Sequence, residues 1–468
     1  MEKKSLTSRL FSTTIIYFIA NFSTRILTFF LLPLYTKYLS PSDYGNIDLI
    51  LTFAQFITPL ITLNVTNAAF RFLIDENEVE GRSRIIASSS SVLFIGYVIL
   101  SIFSVVGYVI THNIFIILGG IYIILSTFNS YVLQCYRGIK KNKTYAIMGV
   151  VNSALHIFLN IVFIVGLNLH SYALILSPII SSAIVCIILV FNNSFYKYFN
   201  KNYFTKDELK QMMKFALPTV PETLIWWFLT GFAKTHLSSV HGTDVLGIYA
   251  VATKFADLLI ALYSVFNMAW AEFAYAAYKE KNRDNIYSVA YNSIARVMLS
   301  VVMILIPLTN LSISWLLDES YQVGKVYMPV LYIMAFINIL SSYYGIGFQS
   351  AKNTKSILYS SLIAVAINVP LCILLIPEYV IWGTIIALFA ANLSLLITKK
   401  QMSKKFFTVK LDYKWLFLLL PVTISTVAFY WGNSEINFVC LFCSIIIAFI
   451  SNWSLITTIC YSIVKRKK

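Results

Sequence analysis

Residues 10–35 read LFSTTIIYFIANFSTRILTFFLLPLY, and Arg25 is the only charged residue in this stretch. A helix that crosses a membrane needs about 20 consecutive, mostly apolar residues, and this stretch is long enough. A charged side chain near the middle of such a helix costs about 2.5–3.5 kcal/mol on insertion scales. The stretch therefore predicts a membrane helix in which Arg25 faces a cavity or a partner rather than lipid.

The rest of the chain has the same character. Of its 468 residues 58% are hydrophobic and only 12% are charged, whereas a soluble domain carries about 25% charged residues. Long apolar runs exclude a transmembrane β-barrel, whose strands alternate polar and apolar residues. We therefore predict an all-α, polytopic membrane protein with about 14 transmembrane helices. The predicted spans are 10–36, 46–73, 85–110, 114–136, 145–168, 170–192, 215–239, 246–277, 287–315, 326–350, 357–376, 379–398, 415–432 and 437–463.

The distribution of Lys and Arg predicts the orientation. With a cytoplasmic N-terminus, the cytoplasmic segments hold 29 of the 36 basic residues, and the outer loops hold only Lys37 and Lys325. Cytoplasmic loops retain positive charge, so both termini are predicted to be cytoplasmic. The net charge of +16 follows from this topology, and it is no indication of nucleic-acid binding.

The chain also contains a weak internal repeat. A shift of 202 residues aligns Gly45 with Gly247, Phe53 with Phe255, Ala54 with Ala256, Leu60 with Leu262 and Ala69 with Ala271. Six helices per copy make both copies enter the membrane in the same sense, which is a parallel repeat. We predict an N-lobe at 1–200 (helices 1–6), a C-lobe at 201–400 (helices 7–12) and a C-terminal helix pair at 401–468 (helices 13 and 14). In transporters with such repeats the substrate site lies between the lobes.

Polar and charged residues within the predicted spans are the candidates for a substrate-binding central cavity. Arg25 is about ten residues from each end of its span and is too deep to reach the headgroups cheaply. For residues nearer the ends of their spans, such as Arg71 and Glu222, anchoring at the headgroups is an equally good interpretation. The candidates are Asn21, Arg25, Asp48, Gln55, Asn64, Arg71, Glu222, Lys234, Lys254, Asp257, Glu272 and Arg296.

Two of these candidates, Lys254 and Asp257, are three residues apart and can pair along their own helix. The repeat aligns them with Thr52 and Gln55, which continue a polar stripe from Asp48. Equivalent stripes in both lobes favour two walls of one hydrated cavity, although an interhelical hydrogen-bond network is the alternative. Beyond Pro59, a bend or rotation of the second span is expected to return Asn64 and Arg71 to the cavity.

The charges of this cavity suit an anionic substrate. It holds five cationic and four anionic candidates, and the deepest charge is cationic. Arginine presents a fork of donors that matches phosphate or carboxylate oxygens, while a charge-balanced cavity without an anionic substrate is the alternative. The sequence has no Walker-type phosphate loop and no metal-ligand spacing among its five histidines, so no cofactor and no metal site are expected. The drive is expected to be an ion gradient, a concentration gradient or a partner, with H⁺ or Na⁺ as a possible coupling ion.

Three motifs carry a family resemblance. LLPLYTKYLSPSDYGNIDL (31–49), GIYAVATKFADLL (247–259) and AWAEFAY (270–276) resemble bacterial polysaccharide-transport proteins, the O-antigen and capsule repeat-unit flippases. That family belongs to the superfamily of lipid II flippases and multidrug and toxin extrusion (MATE) transporters. Arg25 matches a first-helix arginine of the superfamily. Glu272 stands where the family often has proline, which leaves the bending of the eighth helix open.

The resemblance implies a MATE-like fold and a flippase, not an enzyme, in the bacterial inner (cytoplasmic) membrane. The expected substrate is an undecaprenyl-pyrophosphate-linked oligosaccharide, moved outward by alternating access for surface polysaccharide synthesis, with Arg25 holding the pyrophosphate. The implied partners are this substrate, membrane lipids, a polysaccharide polymerase and a chain-length regulator, around a monomeric transport unit. A cation-coupled multidrug antiporter is the alternative. A polymerase or glycosyltransferase is disfavoured because the outer loops are short.

Overall fold

The computed structural model describes residues 29–466, except for the side chains of residues 192–194, 201, 265, 269, 272, 454, 456 and 458–466. Among these residues there is no β-strand. The α-helices are α1 (Leu32–Tyr38), α2 (Pro41–Thr62), α3 (Val65–Asp75), α4 (Val79–Thr111), α5 (Ile114–Gly138), α6 (Asn142–Ile161), α7 (Ser171–Phe191), α8 (Lys206–Ala216), α9 (Val220–His241), α10 (Thr243–Ala277), α11 (Arg283–Leu316), α12 (Glu319–Gln322), α13 (Met328–Ser350), α14 (Thr354–Ser403), α15 (Leu419–Trp431) and α16 (Ser434–Arg466). Short 3₁₀ segments and one π-helical turn, Val162–Gly166, complete the backbone.

Eleven helical segments in the described part of the chain are long and apolar enough to cross a membrane. One of them, α14, contains two helices that meet at Val380, whose φ of 51° and ψ of −121° are not helical. Helix α9 adds a segment of 22 residues, about 33 Å at 1.5 Å per residue, which is long enough to span although it is less apolar. Every predicted span from the second to the fourteenth therefore coincides with helix. The all-α polytopic fold is confirmed, while the first predicted span lies mostly outside the described residues.

The second predicted span is broken rather than continuous. Helix α2 ends at Thr62, Leu63 and Asn64 adopt left-handed backbone angles with φ of 47° and 53°, and α3 begins at Val65. The break falls a few residues beyond Pro59, where the sequence predicts a bend. The repeat-related helix α10 is continuous at positions 265 and 266, which the 202-residue shift aligns with Leu63 and Asn64, and it also runs through position 272. The two copies of the repeat therefore differ in backbone at this point.

The described residues form two compact units. The first comprises residues 38–247 with 29–31, and the second comprises residues 248–466 with 32–37. Helix α9, which the repeat assigns to the C-lobe, packs on α2 and belongs to the first unit. In the second unit, α15 and α16 both pack on α11. The division of the chain at 200 and 400 stays a prediction.

The core of the first unit is formed where α3, α4, α5 and α8 meet. Fully buried side chains such as Leu73, Ile86 and Tyr131 form its centre. The Tyr131 hydroxyl lies 2.7 Å from Ser89 Oγ and donates to the Ile86 carbonyl, so its polar atom is satisfied in the apolar core. The short helix α8 contributes buried Met212 and Ala216 to the same core, which fixes α8 against α3 and α4.

The start of α2 contacts the start of α10 with no side chain between the backbones. A Cβ atom on Gly45 would lie 1.9 Å from the Thr243 carbonyl oxygen, and one on Gly247 would lie 1.9 Å from that of Pro41. The contact is reciprocal, since each pair is related to the other by the 202-residue shift. Only glycine permits so close an approach. Glycine at both positions is therefore explained by this contact, which obeys a local two-fold relation within the first unit.

Candidate functional site

A partly buried ion pair joins α2 and α9. Lys234 Nζ lies 2.8 Å from Asp48 Oδ2 and 3.1 Å from Asp48 Oδ1. The Asp48 side chain is 10% exposed and the Lys234 side chain 23%. Removing two charges from water costs free energy, and this cost is offset only when the charges lie close together with good hydrogen-bond geometry. Two candidates predicted separately from sequence thus form one neutral pair within the first unit.

The same seam of α2 and α9 continues with aromatic contacts. The buried Trp227 indole donates to the Thr52 carbonyl at 2.8 Å, and its ring lies 4.5 Å from the ring of Phe56. Gly231 leaves room for this indole, because a Cβ there would lie 2.4 Å from Trp227 Nε1. Sequence reasoning missed Trp227, although an indole one helical turn from a glycine is a recognisable signal for close packing.

Asn64 ties the break after α2 to the start of α9. Its side-chain amide donates to Thr219 Oγ1 at 3.0 Å and to Thr223 Oγ1 at 3.1 Å. Asparagine tolerates the left-handed backbone that the break requires. Asn64 therefore contributes both the turn and its attachment to the neighbouring helix.

The remaining candidates of the first unit are more exposed. Arg71 pairs with Asp75 one turn away on α3, and both side chains are more than half exposed. Gln55 on α2 and Glu222 on α9 are exposed. The predicted stripe thus divides, with Asp48 and Thr52 in the α2–α9 seam and Gln55 open to the surroundings.

Two candidates of the second unit lie on α10 as the spacing predicts. Lys254 Nζ and Asp257 Oδ2 are 3.9 Å apart, at the limit of an ion pair. Asp257 is exposed, so the pair contributes little to stability. Glu272 lies in the same helix, and its side chain is outside the described part of the structure.

Arg296 on α11 has a polar atom without a hydrogen-bond partner. Its Nε is buried and unpaired in the structure, while the residue as a whole is half-buried. One turn further along α11, Ser300 accepts a hydrogen bond from the Asn452 amide of α16, whose own oxygen is also unpaired. The Arg296 Nε is therefore a buried donor that the described residues leave without an acceptor.

Arg25 and Asn21 lie outside the described residues, so their surroundings remain a prediction. Among the cations that the structure does describe, Lys234 and Arg71 have carboxylate partners, whereas Lys254 is weakly paired and Arg296 has an unused donor. Within residues 29–466 no three potential metal ligands come together.

The many long apolar helices define a polytopic, all-α membrane protein. A family model described as polysaccharide biosynthesis protein matches residues 10–271, more than half of the chain, and the chain belongs to that family. A second model, MatE, matches residues 218–374. No curated protein sequence matches the chain.

Several solved structures share this fold. The lipid II flippase MurJ in an inward closed conformation has a TM-score of 0.71 and 17% identity, covering 95% of this chain and 99% of its own. An inward-facing MATE family transporter has a TM-score of 0.63 and 15% identity, covering 87% and 98%. A MOP superfamily transporter from Pyrococcus furiosus has a TM-score of 0.58 and 15% identity, covering 88% and 96%. At these identities the likeness concerns the fold, and the MATE-like fold implied by the sequence motifs is confirmed.

Proposed function

We propose that the protein is a flippase that moves an undecaprenyl-pyrophosphate-linked oligosaccharide from the cytoplasmic to the outer leaflet for surface polysaccharide synthesis. The observation that carries this proposal is the match of residues 10–271 to the polysaccharide biosynthesis family. The many apolar helices support a site within the membrane. Transport by alternating access, without catalysis, is the activity that we infer.

In this proposal Arg25 binds the pyrophosphate. Its predicted depth would be costly in lipid, and a guanidinium matches the geometry of phosphate oxygens. Arg296 and Lys254 are the described cations best able to add to an anion site, because Lys234 and Arg71 are engaged by Asp48 and Asp75. The other predicted cavity residues would contact sugar hydroxyls or pair with one another.

The cellular setting is also part of the proposal. The protein would lie in the bacterial cytoplasmic membrane with both termini inside, as a monomeric transport unit. Its drive would be an H⁺, Na⁺ or concentration gradient. A polysaccharide polymerase and a chain-length regulator would act on the product at the outer face.

Deletion of the gene in its native host tests the proposal. Mass spectrometry of undecaprenyl-linked sugars on both faces of the membrane should find complete repeat units accumulating on the inner face alone. Single repeat units that reach the outer face without being polymerised would indicate a polymerase instead. Unchanged glycolipids on both faces would exclude the flippase activity.

A cation-coupled antiporter of small molecules is the second candidate, because the MatE model matches residues 218–374. It would leave the glycolipids of the deletion strain unchanged and alter the accumulation of a cationic dye in whole cells. Dye accumulation that is equal in both strains, together with inner-face glycolipids, would favour the flippase.

A further inference from the structure

One segment of the internal repeat has a different backbone conformation in each of its two copies. Residues 41–75 and 243–277 are related by the 202-residue shift. The first range consists of α2, the break at Leu63 and Asn64, and α3, whereas the second is the single 35-residue helix α10. The two ranges begin and end at equivalent positions. The same element of the repeat is therefore built as two helices in one copy and as one helix in the other.

The break places a leucine in an unfavourable backbone region. Leu63 has φ of 47° and ψ of 29°, and Asn64 has φ of 53° and ψ of 23°. Asparagine tolerates this left-handed region, but a bulky residue such as leucine is an outlier there. Residues with such angles persist only where the surrounding structure holds them, and they cluster in switch regions. Contacts around the break must therefore hold Leu63 in this conformation.

Hydrogen bonds of side chains hold the break in place. The backbone N–H of Asn64 donates to Thr62 Oγ1 at 3.3 Å, and its side-chain amide donates to Thr219 Oγ1 and Thr223 Oγ1 of α9 at 3.0 and 3.1 Å. Asparagine is a preferred capping residue, yet the Asn64 side chain makes no capping hydrogen bond to α3. The Asn64 side chain thus fastens the break to the neighbouring helix instead of stabilising the start of its own.

The break joins two differently packed parts of the first unit. Helix α2 is attached to α9 by the ion pair of Asp48 and Lys234, whereas α3 lies in the core with α5 and α8. Hinges in proteins are a few residues at the ends of elements that absorb changes in φ and ψ. Leu63 and Asn64 have this position between α2 and α3.

The last turn of α2 contacts α4 without an intervening side chain. A Cβ on Gly96 would lie 2.1 Å from the Ile61 carbonyl oxygen. Interdigitated side chains transmit strain through a packed interior, but at this contact α4 has no side chain that must be repacked. The chain can therefore change direction two residues beyond Ile61 while α4 keeps its place.

We propose that Leu63 and Asn64 form a conformational hinge of the transport cycle. In the second conformation both residues become helical, Asn64 releases Thr219 and Thr223, and residues 41–75 form one helix, as residues 243–277 already do. This inference rests on the proposed function, because transport by alternating access requires two conformations. It deepens that function by naming an element that differs between them.

Double electron–electron resonance on the full-length protein in nanodiscs tests the hinge. Nitroxides are attached to p-acetylphenylalanine at positions 46 and 74, which are exposed, so that the native cysteines stay unlabelled. One uninterrupted helix would separate these positions by about 42 Å at 1.5 Å per residue, and a broken helix gives a shorter distance. The wild type should show both distances. A single distance in the wild type and in each variant would overturn the proposal.

Variants near the break should shift the two populations in opposite directions. Leu63→Gly suits the left-handed region and lowers helix propensity, so it should reduce the population with the long distance at least threefold. Thr219→Val with Thr223→Val removes the acceptors of the Asn64 amide, so it should increase that population at least threefold. Thr230→Val is the control, because the exposed Thr230 hydroxyl donates within α9 itself. An equal shift in this control would contradict the assignment.

The amount of surface polysaccharide shows whether the hinge is used. Leu63→Gly should reduce it at least threefold while the amount of protein in the membrane stays the same, because the variant favours the broken form. His112→Gly is the matched control, since His112 has a similar left-handed backbone at the end of α4, with φ of 53° and ψ of 21°. This control should leave the polysaccharide unchanged. Wild-type polysaccharide in the Leu63→Gly strain would overturn the proposal.

The outcome is separable from that of the proposed function, because the distance measurement needs no sugar substrate. Two distances in a protein whose deletion leaves glycolipids unchanged would retain the hinge without the flippase activity. One distance in a protein whose deletion causes glycolipids to accumulate on the inner face would overturn the hinge and leave the flippase proposal intact.

Discussion

Lys234 on α9 donates to both carboxylate oxygens of Asp48 on α2, at 3.1 and 2.8 Å. The two residues are 186 positions apart in sequence, and their pairing fixes the register of two helices. It also neutralises two of the charges that the sequence places in the membrane. A cation that appears available to an anionic substrate in the sequence is thus committed to a structural partner.

Removal of either member of this pair should destabilise the protein. Lys234→Gln or Asp48→Asn leaves one charge without its partner, which we expect to lower the free energy of unfolding by about 2–3 kcal/mol after allowance for partial exposure. The double variant should be more stable than the sum of the single effects predicts. The stability of the wild type and of each variant is compared by the midpoint of thermal unfolding, with all proteins in the same detergent. Lys254→Gln is the control, since its pair spans 3.9 Å and Asp257 is exposed; an equal loss in that variant would contradict the argument.

Alanine at Gly45 should separate the starts of α2 and α10. Its Cβ would lie 1.9 Å from the Thr243 carbonyl oxygen, and overpacking of this kind costs about 1–3 kcal/mol. Because the contact is reciprocal, Gly247→Ala should have a similar effect. Gly149→Ala is the matched control, since no atom lies within 4 Å of its Cβ position, and it should be neutral or stabilising. Unfolding midpoints that do not separate Gly45 from Gly149 would show that the contact is not tight.

Substitution of Asn64 should weaken the break between α2 and α3. Asn64→Ala removes the hydrogen bonds to Thr219 and Thr223 and places alanine in the left-handed region, for an expected loss of about 2 kcal/mol. Asn67→Ala, at an exposed position on α3, is the control and should change stability by less than about 0.5 kcal/mol. Protease sensitivity near residues 62–65 should rise in the first variant only; no rise would argue against Asn64 as the fastening residue.

Arg25 is expected to be needed for transport and not for insertion. Arg25→Ala and Arg25→Lys should both reduce surface polysaccharide while the amount of protein in the membrane stays the same. Lysine should be the poorer substitute if two-pronged binding of phosphate matters, and the better one if charge alone matters. Arg71→Ala is an informative comparison, because Arg71 pairs with Asp75 at the exposed end of α3. Wild-type polysaccharide in both Arg25 variants would exclude the proposed role.

Much of the fold followed from local properties of the sequence. The thirteen predicted spans after the first all correspond to helices, because an apolar run of about 20 residues satisfies its backbone only as a helix within lipid. In the sequence, the 202-residue shift aligns Gly45 with Gly247 but gives no reason for glycine at both positions. The structure explains it by bringing those glycines into contact.

Less of the candidate site could be predicted from the sequence. Asp48, Lys234 and Asn64 could be recognised as unusual within apolar spans, but their partners could not. Trp227 was missed entirely, since its hydrogen bond to the Thr52 carbonyl leaves no polar pattern in the sequence. The position of the break was anticipated near Pro59, whereas the left-handed residues are Leu63 and Asn64.

The sequence by itself predicted the helices from the second span onward and the presence of charge among them, because hydropathy and charge are properties of single residues and short segments; the orientation stays a prediction. Only the tertiary structure decided that Lys234 is matched to Asp48, that the buried Arg296 Nε has no hydrogen-bond partner, and that α4 approaches α2 closely at Gly96. Each of these depends on the crossing and register of helices far apart in the chain. Packing of whole helix surfaces sets those relations, and no local pattern encodes them.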